Sequence, residues 1–184
     1  MVKTANPAAF ADLFTAFGLD VMAAQGGDLI TLAGRELRDG ASKDALRSVA
    51  WAYRFWRAGH HPSVRSAQLD LAAARIRRFI DAAVGGRTVA AWLTSELGVA
   101  LVLDEHVNRP GHVPGTLSDA LTGLGQLAQR DPADWTTDDE ARLIEAYLAA
   151  RAKTSMTDSD GRATRIKACV TNDTLSEARG SFVP

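Results

Sequence analysis

The chain of 184 residues predicts an all-α fold organised around one central buried helix. Apolar residues recur every three or four positions almost throughout, and the alternating runs of half-buried strands are nearly absent. The segment "LGVALVLD", 97–104, is apolar all round, as befits a helix with no solvent face. The length fits a single helical domain over residues 1–184, with a core that needs no covalent staples.

The elements follow in order. Pro7 suits a first helical turn, Phe10, Leu13, Phe14 and Phe17 form one face, and Gly18 is a stop. A second helix is expected from about Asp28 to Arg38, ending at "DG". Ser42 reads as the cap of a third, with Leu46, Val49, Ala50, Tyr53 and Trp56 turned inward. Pro62 starts a long helix through Leu69, Ala72, Ile76, Phe79, Ile80 and Ala83, which "GGR" at 85–87 ends. Thr88 can cap the next, which runs through Trp92 into the central segment. Thr137 to Glu140 reads as a capping box for a helix carrying Leu143, Ile144, Tyr147 and Leu148. "TSMTDSDG", 154–161, reads as a loop before a short last helix, and the final residues are expected to be mobile.

Composition excludes some functions. A 46% hydrophobic and 23% charged content is ordinary for a globular chain, and a net charge of −1 creates no field toward nucleic acid or membrane. No apolar run approaches the roughly 18 residues of a membrane span, and "MVKTANPAAFADLF" lacks a signal-peptide core. Localisation therefore stays open, with delivery to a cell wall by another route compatible with the chain. Cys169 is a lone cysteine. The four histidines, His60, His61, His106 and His112, lack the short spacings of a zinc site, so no metal or other cofactor is expected. "RIRR", 75–78, with Arg65 and Arg87, reads as the solvated side of a helix rather than a nucleic-acid footprint. "AYRFW" could stack a sugar on Tyr53, Phe55 and Trp56, but its spacing favours core.

Asp104, Glu105 and His106 end the central helix, and adjacent helical positions point about 100° apart, so at most one faces inward. Asp104 continues the face of Ala100 and Leu101, and a carboxylate there needs a charged or hydrogen-bonding partner. Arginine grips a carboxylate with two parallel bonds, and Arg151, Arg162 and Arg165 are the candidates. On these residues alone the pair is as readily structural as functional.

The same residues carry a resemblance. "YRFWRAGHHPSVRSAQLDLA", "LTSELGVALVLDEHVNRPG" and "DDEARLIEAYLAARAKTSMTDSDGRATR", together with "NPAAFADLF", are similar in order and spacing to segments of the chitosanase branch of the lysozyme-like superfamily and its bacterial and phage peptidoglycan hydrolases. The likeness covers about residues 6 to 168. It implies a lysozyme-like fold and glycoside hydrolysis, with Asp104, Arg151 and either Arg162 or Arg165 as the charge network that holds the general acid. It further implies that Asn108, in the "VNRP" turn, contacts substrate, with Glu105 and His106 as neighbouring candidates; a net charge of −1 favours peptidoglycan over polycationic chitosan. The family's general-acid glutamate belongs to a segment before the region of likeness and has no obvious counterpart here. Three explanations follow: an acid supplied by an amino-terminal segment or a partner chain, an acid recruited from Glu36, Glu96 or Glu105, or a glycan binder without an acid. A helical protein-interaction module is the competing class.

Overall fold

Pro7 occupies the first turn of a helix, where its missing N–H costs nothing. The computed structural model describes residues 2–25 and 27–183, and the chain divides into two compact units, Met1–Ala72 and Ala73–Pro184. The first unit opens with α1 (Val2–Ala5) and α2 (Pro7–Leu13). Asn6 caps α2 by accepting a bond from the Ala9 N–H at 3.0 Å. A 3₁₀ turn over Thr15–Phe17 ends at Gly18, with φ 85°. A side chain at Gly18 would meet the Ala33 backbone nitrogen at 3.3 Å in an already left-handed conformation, so glycine is required there.

Three antiparallel strands follow: β1 (Leu19–Ala24), β2 (Gly27–Leu32) and β3 (Arg35–Glu36), with Leu19 opposite Leu32 and Val21 opposite Ile30. This sheet replaces the helix expected from Asp28 to Arg38 and corrects the all-α reading. Leu29, Leu32 and Leu37 are compatible with helical spacing, but a run this short fits either period. The turns decide: Ala33 and Gly34 lie at φ 49° and 79°, forming a tight two-residue connection between β2 and β3.

The next helix, α3 (Val49–Gly59), begins after Ser48 rather than Ser42. Ser42 instead closes a turn, donating its N–H to Asp39 Oδ1 at 2.8 Å while its hydroxyl accepts from the Asp39 N–H at 3.0 Å. The inward side of α3 is also not the expected one. Trp51 and Ala58 are buried with Phe10, Phe14, Leu19, Leu37 and Val64, whereas Val49, Tyr53 and Trp56 are exposed. Pro62 starts α4 (Pro62–Ile80), in which Leu69 is exposed but Phe79 and Ile80 are buried.

In the second unit, "GGR" forms a second small sheet. Gly85 and Gly86, at φ 59° and 78°, connect β4 (Ala83–Val84) to β5 (Arg87–Thr88). The helices are α5 (Val89–Trp92), α6 (Glu96–Asn108), α7 (Val113–Leu124), α8 (Thr137–Ala152) and α9 (Ser159–Thr171). The central α6 buries Leu97, Val99, Leu101 and Val102 among Val113, Leu117, Leu143 and Tyr147. At the start of α8 the capping box is one residue earlier than expected, with Thr136 as cap and Asp139 as its reciprocal partner.

The carboxy-terminal segment is tied to the start of α6. Phe182 N donates to Thr94 O at 2.9 Å, and Leu97 N donates to Ser176 O at 3.0 Å. Arg179 donates to Glu140 at 2.5 Å and to the carbonyls of Ala91, Trp92 and Pro132. Glu140, 1% exposed, also accepts from the backbone of Thr94 and Ser95 and from the Thr94 hydroxyl. A buried carboxylate with this many donors is the form in which burial is tolerated.

Candidate functional site

Asp104 lies near the end of α6, where the helix passes from its buried stretch toward solvent. Its partners come from elements far along the chain. Arg151 projects from the last turn of α8 and Arg162 from the first turn of α9. Arg151 Nη1 donates to Asp104 Oδ2 at 3.3 Å and to Leu101 O at 3.2 Å. Its other nitrogens reach Ser159, at 3.2 Å to Oγ and 2.8 Å to the carbonyl. This guanidinium is fully buried, with its charge and geometry satisfied on three sides.

Arg162 grips the same carboxylate. Its Nε lies 3.1 and 3.2 Å from the two oxygens, and Nη2 also donates to Oδ1. Bidentate geometry of this kind is what a planar guanidinium provides. The bond to Asp104 raises the already high pKa of Arg162, so its charge is fixed. Asn108, exposed one turn beyond Asp104, donates its side-chain amide to Asp104 O at 2.7 Å and Oδ1 at 3.4 Å. Arg165 stands apart. It pairs with Asp158 at 2.7 Å on the surface, and this bond holds the Asp158 carboxyl below the usual carboxylate range. Arg162, not Arg165, is thus the second arginine on Asp104.

Glu105 takes the fully interior position that Asp104 was expected to approach. It is 0% exposed. Its Oε1 accepts from the Thr116 hydroxyl at 2.7 Å and from Arg109 at 3.2 Å, and Oε2 accepts from the Tyr147 hydroxyl. Burial, and then the adjacent Glu105, push the Tyr147 phenol well above its ordinary pKa, so Tyr147 remains a proton donor. Sealed in this way, Glu105 has no open side for a sugar; its expected contact with substrate gives way to an internal role. His106 is half-buried, its ring 5.4 Å from that of Phe79. Burial, reinforced by Arg75 and Arg78, lowers its pKa from 6.5.

The other carboxylates considered as acids are placed elsewhere. Glu36 ends β3 and pairs with the exposed Arg38. Glu96 accepts from the Ser176 N–H at 2.7 Å. Among the described residues no group of three His, Cys, Asp or Glu side chains converges as a metal site, and no helix is long and apolar enough to cross a membrane.

The sequence marks Tyr147 only as a core residue and gives no site expectation for Thr116, Arg109 or Ser159. Tyr147 had a signal: it lies four residues before Arg151 on α8, hence on the same face. Thr116 and Ser159 reach the site through tertiary packing and had none. Chemically, the Asp104 cluster is a fixed, hydrogen-bonded charge network. Its carboxylate oxygens are engaged by two guanidinium groups and an amide, which fix the orientation of all four groups. No protein-family model matches the chain, and no curated protein or solved structure matches it.

Proposed function

We propose that this chain is a glycan-directed domain of lysozyme-like type, which binds cell-wall glycan and leaves the glycosidic bond intact when acting alone. One observation carries the reading: the Asp104 carboxylate is held jointly by Arg151 and Arg162, the network implied by the resemblance, while the adjacent Glu105 is sealed in the core. Glycoside hydrolysis uses two carboxyl groups flanking the bond, roughly 5–9.5 Å apart depending on mechanism. Asp104 is committed to its arginines and Glu105 to Tyr147 and Thr116, so the central helix supplies neither partner. Cleavage would require carboxyl groups from outside the central helix. Peptidoglycan is the preferred polymer, since polycationic chitosan calls for an acidic cleft and the net charge here is −1.

Co-sedimentation with purified insoluble peptidoglycan, with chitosan in parallel, tests this reading. The chain is expected in the peptidoglycan pellet, with no soluble muropeptides or new reducing ends. A chain that stays in the supernatant with both polymers removes the glycan reading. Soluble fragments removes the claim that it does not cleave. A second reading, a protein-interaction module, draws on the exposed apolar residues of α3 and predicts association with protein in place of glycan.

A further inference from the structure

The helix α3 carries aromatic residues on two sides, and the structure turns only one of them inward. Trp51 is buried, with the Phe55 ring 5.6 Å away. Val49, Tyr53, Trp56 and His60, spaced four, three and four apart, form a stripe on another side. Tyr53 is 59% exposed and Trp56 62%. Their rings lie 5.9 Å apart and within 24° of parallel, stacked on one another in an aromatic pair that stands largely in solvent. The Trp56 ring is steadied by His60, 4.5 Å away, whose Nδ1 lies 2.8 Å from the Trp56 carbonyl oxygen.

Beside this surface is a cavity of about 490 Å³, within the range of small-ligand sites, roughly 300–1,000 Å³. Asp12, Tyr53, Arg54 and Arg57 line it, with Leu13 and Phe17 as apolar wall. Arg54 is fixed in place, its guanidinium 4.2 Å from the Phe17 ring and 5.1 Å from the Trp51 ring. Asp12 and Arg57 are exposed, and neither forms an ion pair among the described residues. An exposed carboxylate and an exposed guanidinium thus line one cavity without an ion-pair partner among the described residues.

We infer that Tyr53 and Trp56, with Asp12 and Arg57 in the adjoining cavity, form a binding platform for the pyranose rings of a glycan strand. A pyranose presents C–H groups on its faces and hydroxyls around its rim. The solvent-facing side of the stacked aromatic pair matches the faces, and the carboxylate and guanidinium match the rim. Other occupants fit less well. A polyanion such as nucleic acid would meet Asp12, and this unit carries nearly balanced charge. The choice of a cell-wall polymer as the source of the sugar rests on the proposed function; the platform itself rests on the geometry of α3.

The test titrates the full chain with a β-1,4-linked N-acetylglucosamine hexamer, followed by tryptophan fluorescence and calorimetry, alongside pelleting on peptidoglycan. Trp56→Ala and Tyr53→Ala are each expected to weaken hexamer binding by roughly five- to tenfold, the scale of one lost aromatic contact. Arg57→Gln and Asp12→Asn should weaken it too, while Leu69→Ala, another exposed apolar residue of the same unit, should not. Circular dichroism checks that each variant is folded. Pelleting by the parent chain with hexamer binding unaltered in both aromatic variants overturns the platform and leaves the glycan reading standing. A parent chain that binds neither hexamer nor peptidoglycan overturns both. Concentration-dependent self-association abolished by Trp56→Ala, with glycan binding unchanged, assigns the surface to a second copy and likewise overturns the platform.

Discussion

Replacing Asp104 by alanine removes the carboxylate facing a fully buried guanidinium, that of Arg151. Breaking a buried ion pair by deleting one partner costs about 3–5 kcal/mol, because the remaining charge is left uncompensated. Two features place this case at the lower end. The Asp104 side chain is 11% exposed, and Arg151 keeps three neutral acceptors, Leu101 O, Ser159 O and Ser159 Oγ. The expected loss for Asp104→Ala is therefore about 3 kcal/mol. Arg162, a third exposed, shares the carboxylate with Arg151, so Arg162→Ala should cost only about 1 kcal/mol. Arg165→Ala, on a surface pair, should leave stability unchanged within error. Urea unfolding read by circular dichroism and tryptophan fluorescence measures these losses, each assigned to the transition that includes Trp92 and Trp135, since two compact units can unfold separately. The Asp104–Arg151 double-mutant cycle should return a coupling of about 2 kcal/mol. Additive single mutants, or an Asp104→Ala loss no larger than that of Arg165→Ala, would refute this account of the network.

Three further outcomes follow from the same structure. His106 has a depressed pKa, so the folded state favours its neutral form; its contribution is present above pH 6.5 and is lost as pH falls through the folded value. An NMR titration should place His106 below 6.5 and move it upward in Arg75→Ala and Arg78→Ala, and an unchanged midpoint in both would contradict the assigned charges. Arg179→Ala strips Glu140 of its guanidinium and three carbonyls of their donor, which should cost about 3 kcal/mol and raise hydrogen exchange from Ser176 to Phe182; protection equal to the parent would show that the segment is held by other contacts. A side chain at Gly98 would meet Ser95 Oγ at 3.0 Å, Leu93 at 3.1 Å and Glu140 at 3.2 Å, so Gly98→Ala should lower stability by about 1–3 kcal/mol despite alanine's higher helix propensity. A stabilised Gly98→Ala chain would mean that these neighbours give way freely.

The parts of this fold legible in sequence are those set by local chemistry or by unbroken apolarity. Pro7 at a helix start, Pro62 opening α4 and the apolar run of α6 all belong to that group. The strands over Gly27–Glu36 read as helix because Leu29, Leu32 and Leu37 fit a helical period while Leu29 and Leu32, three apart, break a strand's alternation, and the Ala33–Gly34 turn that settles the matter includes a non-glycine residue at positive φ. The wrong face of α3 has a different cause. Its sequence offers both Val49, Tyr53, Trp56 and Trp51, Phe55, Ala58 as apolar sides, and only packing against Phe10 of α2 and Phe14 just beyond it chooses between them. At the candidate site, the need of a partly buried aspartate for arginine was readable, as was Arg151 near the end of its helix. The choice of Arg162 over Arg165 depends on where α9 begins, which is Ser159, inside the stretch read as a loop. The burial of Glu105 depends on Tyr147 and Thr116, polar groups that other helices bring to the same point.

The most direct test incubates the unaltered chain with purified peptidoglycan, separates pellet from supernatant, and assays both for the chain and for released sugar fragments. The chain in the pellet and a supernatant free of muropeptides is the predicted result. A chain that remains in solution, or fragments that appear with the parent and vanish with Asp104→Ala, would contradict a glycan binder that does not cleave on its own.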